Sequence, residues 1–400
     1  MPKVSRKGQS MPSSPIRKLV PFAEAAKQKG IQVLHLNIGQ PDIETPEIAL
    51  KAIKEINLTT LAYSRTEGSD THREKVARYY QSFGAPIEAN DLVITTGGSE
   101  ALSFVMASLL DAGDEVIIPE PFYANYNGFA LANDVVVKPV TAYLKNNFAL
   151  PSISDFEAQI SSKTKAILIC NPSNPTGYVY TKDELSTLAA LCIKHDLFIV
   201  VDEVYREFVY GEKPFVSILN FPEILQYAVV IDSVSKRYSM CGARIGYVAT
   251  KNKEVRNCIL KFAQARLSPP SLAQIASEAA LDTDPAYLKA VNTEYNERRL
   301  TLIKGLSAIP GVQVAHPEGA FYCIAELPVN DAEEFAQWLL EKFSDNQQTL
   351  MLAPAAGFYA TTGLGKKEVR IAYVLNIDLL KRAIELLEIA LEQYNKEDNV

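Results

Sequence analysis

The sequence predicts an α/β fold with a mostly parallel sheet between helices, together with a smaller α+β domain. Three observations support this prediction. The chain has 400 residues, which is more than one small core needs. Short apolar runs alternate with helical patterns in its middle, and the pattern changes near residue 290. We expect a large domain at 46–290, and a small domain formed by 1–45 and 291–400.

The predicted strands of the large domain are continuous apolar runs, which are typical of parallel strands covered on both faces. They are DLVIT (91–95), EVIIP (115–119), DVVVKPV (134–140), KAILIC (165–170), LFIVVDE (197–203) and YAVVID (227–232). Helical patterns lie between several of them, at 99–113 and 181–196 for example. The second helix opens with Thr181 and Glu184, which form a capping-box pattern.

The small domain is expected to follow a long helical stretch that begins near Pro285. Its β-rich pieces are VQVAHP, AFYCIAEL and EVRIAYV. A helix at 331–344 and a terminal helix complete the unit. We expect most of the first 45 residues to join it, with residues 1–12 as a disordered tail.

Composition narrows the functional class. The net charge of -7 argues against a nucleic-acid-binding protein, which usually carries a basic patch. The five cysteines are scattered, so a disulfide framework or zinc site is not expected, and a reducing compartment is favoured. The N-terminus lacks an apolar signal segment, and no run approaches the length of a membrane helix. We therefore expect a cytoplasmic enzyme or binding protein that has no metal site and no membrane-spanning helix.

Polar segments follow four of the predicted strands. TGGSEAL follows the first strand, NPSNPTG follows 165–170, DEVY closes 197–203, and DSVSK closes 227–232. Ligands of open α/β sheets bind beyond the carboxyl ends of the strands. The four segments are therefore expected to converge on one site.

Each segment alone also has a structural interpretation. Gly97–Glu100 could be a tight turn with Ser99 as N-cap, and residues 171–177 could be a rigid turn. Asp202 could cap a strand end, and Lys236 could be a solvated lysine. Together, however, they meet the needs of a cofactor with an aldehyde, a phosphate and a ring nitrogen. Such a cofactor requires a Schiff-base lysine, a carboxylate, helix N–H groups and an arginine, and its substrate carboxylate requires a second arginine.

In this order the motifs resemble those of the class I aminotransferases, which are pyridoxal 5'-phosphate (PLP) enzymes of fold type I. The most specific motif is SVSKRYSMCGARIGY, and the similarity runs from NIGQPD (37–42) to VRIAYV (369–374). The resemblance implies the PLP-dependent transferase fold type I and a homodimer with shared active sites. It also implies an L-amino acid and a 2-oxo acid as substrates, used in a ping-pong mechanism.

The resemblance assigns five residues to the cofactor ring. Lys236 would bind the cofactor as a Schiff base and move the substrate proton. Asp202 would pair with the ring nitrogen, while Tyr205 and Asn174 would hydrogen-bond the ring oxygen. Tyr123 would stack on the ring, although many family members have tryptophan there.

The remaining implied roles concern the phosphate and the substrate. The phosphate ligands would be Gly98, Ser99, Ser233, Ser235 and Arg244. Tyr63 would reach the phosphate of the neighbouring subunit. Arg370 would bind the substrate α-carboxylate, with help from Gly39 and Asn174.

The sequence is less informative about the substrate side chain. Aspartate with 2-oxoglutarate is the specific prediction, and Arg266 or Arg17 is the hypothetical ligand of the distal carboxylate. A surface salt bridge is the structural alternative for Arg266. An aromatic or broad-range aminotransferase is the nearest other function, and a PLP-dependent C–S β-lyase is a further one.

Overall fold

The computed structural model describes residues 2–14, 17–211 and 213–397. Its strands are β1 (Gln32–His35), β2 (Leu92–Thr95), β3 (Glu115–Glu120), β4 (Val136–Thr141), β5 (Thr164–Cys170), β6 (Phe198–Asp202), β7 (Ala228–Ser233), β8 (Gly246–Ala249), β9 (Gln313–Val314), β10 (Tyr322–Glu326), β11 (Gln348–Met351), β12 (Ala353–Pro354) and β13 (Glu368–Ala372).

The α-helices surround these strands. They are α1 (Arg6–Ser10), α2 (Val20–Gln28), α3 (Glu47–Lys54), α4 (Asp70–Ser82), α5 (Gly97–Leu109), α6 (Asn125–Ala132), α7 (Ile153–Gln159), α8 (Lys182–His195), α9 (Val234–Arg237), α10 (Lys253–Arg266), α11 (Ser271–Ala280), α12 (Pro285–Ala308), α13 (Ala332–Glu341) and α14 (Ile377–Glu397). Among the residues described, no helix is both long and apolar enough to cross a bilayer.

The large sheet has seven strands in the order β2-β8-β7-β6-β5-β3-β4. Only β8 runs against its neighbours β2 and β7, while the pairs from β7 to β4 are parallel. The predicted α/β fold with a mostly parallel sheet is confirmed. All six strands predicted from apolar runs are present, whereas β8 was not predicted.

Burial on both faces explains why these strands are continuously apolar. Along β6, Ile199 and Val201 pack into the core on one face, and Val200 packs into the core on the other. The first core includes α4 and α8, and the second includes α5 and α10. Since neither face meets water, alternation of polar and apolar residues is not required.

A second unit contains the antiparallel sheet β12-β13-β10-β9 and the parallel pair β1-β11. Its core joins apolar residues of α2, α12, α13 and α14 to these strands. β1 and β11 belong to distant parts of the chain, and their parallel pairing connects residues 32–35 with residues 348–351. Helix α12 begins at Pro285 and crosses the predicted boundary at residue 290.

The extreme N-terminus differs from the expected disordered tail. Residues 6–10 form α1, whose N-cap Ser5 accepts a hydrogen bond from the Gly8 N–H. Lys7 Nζ lies 2.6 Å from Asp134 Oδ2 and 3.0 Å from the Ala132 carbonyl oxygen, at the end of α6. This ion pair and hydrogen bond place α1 on the large unit.

Gly246 allows β8 to pass beneath the start of α5. A Cβ at this position would lie 2.6 Å from the Gly97 carbonyl carbon and 2.7 Å from the Gly98 nitrogen. We predict that Gly246→Ala lowers the free energy of unfolding by about 1–3 kcal/mol, because the backbone of Gly97 and Gly98 must shift to make room for the methyl group. Gly242→Ala is the control, since a Cβ there meets nothing within 4 Å. Equal stability of the two variants in urea unfolding would contradict this prediction.

Candidate active site

Four strand ends form the edge of the large sheet at which the candidate site lies. β6 ends at Asp202 and β7 at Ser233, while β2 leads into α5 and β5 leads into the turn at 171–177. Cys170 is the register partner of Asp202, and Asp202 is the partner of Ile231. Parallel register therefore brings three of the predicted segments, those after β5, β6 and β7, to one edge of the sheet.

Lys236 is carried by the short helix α9, directly after β7. Ser233 caps this helix, since its Oγ accepts a hydrogen bond from the Ser235 N–H at 3.1 Å. The Lys236 side chain is partly buried, and its Nζ donates to the Gly39 carbonyl oxygen at 2.8 Å. The amine is thus held between the large sheet and the segment after β1. Cys241 Sγ also lies 3.7 Å from Nζ.

The first turn of α5 and the loop after α9 form a small positively charged cup. Thr96, rather than Ser99, is the N-cap of α5, so Gly97, Gly98 and Ser99 lie in its first turn. An α-helix leaves its first N–H groups without intrahelical partners, and they favour an anion. A Cβ at Gly97 would overlap the Arg244 guanidinium, which shows how closely this cation approaches the helix.

Two hydroxyls extend the cup. Ser233 Oγ and Ser235 Oγ are 2.8 Å apart, and both residues are buried. Arg244 adopts a left-handed backbone conformation with φ 56°, and its Nη1 donates to the Cys241 carbonyl at 2.9 Å. Helix N–H groups, hydroxyls and a guanidinium are together suited to a phosphate group.

Asp202 is a buried carboxylate with neutral hydrogen-bond donors. Only 6% of the residue is exposed. Its Oδ2 accepts the Tyr126 hydroxyl at 2.8 Å, and its Oδ1 accepts the Val204 N–H at 3.3 Å. Burial raises the pKa of Asp202 to about 6. Throughout the described ranges, no lysine, arginine or histidine forms a salt bridge with it. A protonated ring nitrogen would supply the missing positive charge.

Arg370 presents the opposite situation, a buried cation without an acidic partner in the part of the chain that the structure describes. The residue is 1% exposed. Its Nη1 donates to Asn174 Oδ1 at 3.2 Å, and its Nη2 donates to the Asn37 carbonyl at 2.5 Å. Its Nε is buried and has no hydrogen-bond partner. Burial lowers the pKa of Arg370, so an anion that binds here would stabilise the charged form.

Two tyrosines lie beside Asn174 and Arg370. The Tyr205 hydroxyl lies 3.4 Å from Asn174 Nδ2 and 3.0 Å from the Tyr322 hydroxyl. Arg370 stacks over the Tyr322 ring, with 4.5 Å between the guanidinium carbon and the ring centroid. A Cβ at Gly39 would overlap the Tyr322 ring, so this glycine allows the chain to approach the site. Asn174 thus contacts both Tyr205 and Arg370.

Three further predicted ligands are either exposed or bound to other groups. Tyr63 is 78% exposed. Arg17 is exposed as well. Arg266 donates to the Thr66 and Ile94 carbonyls at 3.1 and 3.2 Å, and forms a 3.1 Å ion pair with Glu100. These contacts favour the structural alternative for Arg266 over recognition of a distal carboxylate.

Two site contacts were not identified from the sequence. No motif pointed to Tyr126, although its spacing of three residues from Tyr123 is a signal that could have identified it. The two rings meet edge to face, with centroids 5.4 Å apart. The Asn37 carbonyl, a ligand of Arg370, could not be found from residue type because every residue has a carbonyl.

The site therefore combines a reactive amine, a buried carboxylate and two anion-binding regions, as in an enzyme that uses a phosphorylated carbonyl cofactor. The family model described as aminotransferase class I and II matches residues 31–387. The chain belongs to this family, and the predicted resemblance to class I enzymes of fold type I is confirmed. The family implies PLP as cofactor.

Individual relatives are similar over nearly the full length. The chain is 31% identical to an aspartate aminotransferase of Bacillus subtilis (strain 168), covering 98% of this chain and 100% of that protein. It is also 31% identical to an asparagine–oxo-acid transaminase of Streptococcus mutans, with the same coverage. The solved structure of Thermus thermophilus aspartate aminotransferase with maleate has a TM-score of 0.89 at 28% identity, covering 98% and 100% of the two chains.

The residues present fit PLP. Among the described residues, Arg370 Nε has no hydrogen-bond partner and the Asp202 carboxylate forms no salt bridge. Gly97 keeps the cup open, because a side chain there would collide with Arg244. A dianionic phosphate, a protonated ring nitrogen and a substrate carboxylate would supply the missing charges.

We predict that Asp202 makes the stability of the cofactor-free protein pH-dependent. Its raised pKa means that the folded state binds the proton more tightly than the unfolded state. The corresponding stabilisation is complete below about pH 4 and is lost as the pH rises through about 6. Relative to that of wild type, the free energy of unfolding of Asp202→Asn should increase by on the order of 2–3 kcal/mol between pH 4 and 7.

Urea unfolding of the cofactor-free proteins at several pH values measures this difference. Asp196→Asn changes an exposed aspartate and serves as the control. Stability profiles of wild type and Asp202→Asn that run parallel between pH 4 and 7 would exclude a raised pKa for Asp202.

Proposed function

We propose that this protein transfers an amino group between an L-amino acid and a 2-oxo acid, with aspartate and 2-oxoglutarate as the expected pair. The observation that carries the proposal is the buried Arg370 guanidinium, which has no acidic partner among the described residues. A planar guanidinium can bind a carboxylate through two parallel hydrogen bonds. The substrate of such a site carries a carboxylate, as amino acids and 2-oxo acids do.

PLP, when bound, supplies an aldehyde for a Schiff base and a ring that accepts electrons. In the proposal, Lys236 provides the amine, and Asp202 keeps the ring nitrogen protonated. Tyr205 and Asn174 hydrogen-bond the ring oxygen, and Tyr123 lies against the ring face. The phosphate is bound by Gly98, Ser99, Ser233, Ser235 and Arg244.

Each residue then acts on the substrate from a fixed position. Arg370 binds the α-carboxylate with Asn174 and the Gly39 backbone, which orients the Cα–H bond. Lys236 Nζ would act as the general base that accepts the proton from the substrate Cα. Amino acid and 2-oxo acid use the same Arg370 site, so they must bind in turn, and ping-pong kinetics follow.

The names of the relatives support a dicarboxylate or its amide as substrate. The B. subtilis and T. thermophilus proteins are named aspartate aminotransferases, and the Thermus structure contains maleate, a dicarboxylate. Because Arg266 is bound to Glu100 and backbone, Arg17 or a residue from a second subunit would hold the distal carboxylate. The S. mutans relative is named for its action on asparagine. A substrate amino acid with an uncharged side chain is therefore also consistent with the names of the relatives.

Two other functions remain alternatives. An aromatic or broad-range aminotransferase would use the apolar rings of Tyr322 and Phe358, which both stack on Arg370. A C–S β-lyase would release pyruvate from cysteine without any 2-oxo acid acceptor. Amino-group transfer that requires an acceptor separates the transferase from the lyase.

The apolar surface around Tyr63 supports a homodimer. Large apolar side chains are 41–78% exposed along residues 48–63, namely Ile48, Leu50, Ile53, Leu58, Leu61 and Tyr63. This segment lies against α11, since Ser271 Oγ donates to the Ala62 carbonyl at 3.1 Å. Exposed apolar surface of this kind is typical of protein interfaces. A second copy would bring its Tyr63 to the phosphate, as the family resemblance implies.

The test of the function is a panel of amino acids added to PLP-loaded protein. We predict that aspartate converts the bound cofactor to its amine form, and that 2-oxoglutarate restores it. Arg370→Lys should lower kcat/KM for both substrates by about 100-fold or more, because lysine cannot form the bidentate pair. Arg382→Lys, on the surface of α14, should have no effect. Conversion by no amino acid, or unchanged kinetics in Arg370→Lys, would reject the proposal.

We predict that sedimentation analysis gives a molecular mass twice that of the 44.1 kDa chain, as a dimer requires. Leu61→Asp should produce monomers and lower activity in parallel, because a charge would be buried in the interface. Leu300→Asp changes a leucine that is 54% exposed on α12 and should remain dimeric. A fully active monomer would exclude a shared site.

A further inference from the structure

A buried ion cluster lies behind the candidate site and has no role in the chemistry described above. Its members are Glu203, Arg206, Glu207, Asp232 and Arg237. The side chains of Glu203 and Asp232 are 0% exposed, those of Arg206 and Arg237 are 3% and 1% exposed, and that of Glu207 is 25% exposed. Charged groups are rarely buried to this extent without partners.

The first half of the cluster stabilises the turn after β6. Glu203 forms an ion pair with Arg206. The same carboxylate accepts hydrogen bonds from Ser217 Oγ at 2.8 Å and from the Ile218 N–H at 3.2 Å. The two residues between them, Val204 and Tyr205, are therefore flanked on both sides by a side chain of this ion pair.

The second half fixes the segment after β7. Asp232 Oδ2 lies 2.6 Å from Arg237 Nη2, and Asp232 Oδ1 accepts the Ser233 N–H at 2.6 Å. The same Oδ2 lies 3.7 Å from Arg206 Nη2. Arg237 also donates to the Tyr247 hydroxyl at 2.7 Å. Asp232 thus connects both arginines, and with them the two segments.

Aromatic rings separate the cluster from water. The Arg237 guanidinium carbon lies 4.0 Å from the Tyr79 ring centroid. The Arg206 guanidinium carbon lies 4.3 Å from the Phe83 centroid and 4.6 Å from the Tyr80 centroid. Because water is excluded, the geometry of these ion pairs is more restricted than that of surface pairs.

The position of the cluster along the chain relates it to the chemistry. Three of its members directly follow a residue assigned to the cofactor: Glu203 follows Asp202, Arg206 follows Tyr205 and Arg237 follows Lys236. In each pair, one side chain contributes to the site and the next contributes to the cluster. A movement of the cluster would therefore change the distance between the Lys236 amine and the Asp202 carboxylate.

Stability alone is a weak explanation for such a cluster. Replacement of a buried ion pair by apolar groups of similar volume is often neutral or stabilising, because burial removes charges from water. A buried ion pair does, however, restrict its partners to few arrangements. The cluster is therefore better suited to fixing geometry than to supplying stability.

We propose that the Asp232–Arg237 pair is a positioning device that holds Lys236 at a fixed place relative to the Asp202–Tyr205 turn. The proposal rests on the proposed function, since it assigns a purpose to the distance between the proposed cofactor residues. Neither Asp232 nor Arg237 is a catalytic residue, because both act through the chain segment that carries Lys236.

The test compares single and double substitutions in the full-length, PLP-loaded protein. Asp232→Asn leaves Arg237 with only its 3.5 Å ion pair to Glu207, and Arg237→Met leaves Asp232 with only its 3.7 Å ion pair to Arg206. Each single variant should therefore lower the thermal midpoint. The double variant Asp232→Asn/Arg237→Met removes both charges and should recover most of the midpoint. We expect its kcat to remain about tenfold or more below wild type, with KM changed less than about threefold.

One further readout does not depend on turnover, and one further variant tests the pair by its geometry alone. The pH midpoint of the bound cofactor's absorbance should shift in opposite directions in the two single variants, because one loses a negative charge and the other a positive charge near Lys236. Arg237→Lys keeps the charge but loses the planar fork, so its kcat should also fall. Arg73→Met is the matched control, since Arg73 is a buried arginine paired with Asp70 at a different place. Arg73→Met should lower the thermal midpoint and leave kcat and the absorbance midpoint unchanged.

The outcomes separate this inference from the proposed function. If wild-type protein does not bind PLP or transfer amino groups, the proposed function fails. If wild type is active and the double variant regains both stability and kcat within about twofold, the cluster is structural only and the inference is overturned. An Arg237→Lys variant with wild-type kcat and absorbance midpoint would overturn it equally, even if the double variant does not fold.

Discussion

Parallel alignment of the strands in the large sheet is the constraint on which the site depends. β5, β6 and β7 run in the same direction, so their carboxyl ends lie along one edge. Each of these ends delivers a different group: the Asn174 turn, the Asp202 carboxylate and the Lys236 amine. β8 runs in the opposite direction and returns the chain beneath α5, which places Arg244 beside Gly97. Covalent continuity with buried strands fixes these groups more firmly than surface loops would.

Charge is distributed unevenly within this frame. Asp202 is buried without a basic partner, and Arg370 is buried without an acidic one, across the residues that the structure describes. In the described residues they form no ion pair with each other; Asp202 accepts the Tyr126 hydroxyl, and Arg370 donates to Asn174 and to the Asn37 carbonyl. Burial disfavours both charged forms, as the raised pKa of Asp202 and the lowered pKa of Arg370 indicate. A ligand with a positive ring nitrogen and a negative carboxylate relieves both penalties.

The sequence was sufficient for the large sheet because its strands are buried on both faces and each ends in a polar segment. β8 was not predicted from the sequence. Its residues GYVA belong to the motif after Lys236, and this run is too short to be distinguished from a loop. Ser99 was expected as a possible N-cap, but α5 begins at Gly97 and is capped at Thr96. Helix ends depend on local backbone geometry that residue type alone does not determine.

Long-range contacts were the part that residue patterns could not predict. The contact between Lys236 Nζ and the Gly39 carbonyl joins residues 197 positions apart. Tyr126 reaches Asp202 across 76 positions. Arg266 was one of two hypothetical ligands of a distal carboxylate, with a salt bridge as the alternative, and its guanidinium forms an ion pair with Glu100. Such contacts follow from packing of complete elements, which composition and periodicity describe only indirectly.

Lys236 is the residue that we propose binds the cofactor covalently. Borohydride reduction of the PLP-loaded protein, followed by proteolysis and mass spectrometry, measures this directly. We predict one phosphopyridoxyl group per chain, on Lys236, with no modification in a Lys236→Ala variant. A phosphopyridoxyl group on another lysine, or equal labelling of the variant, would contradict this assignment.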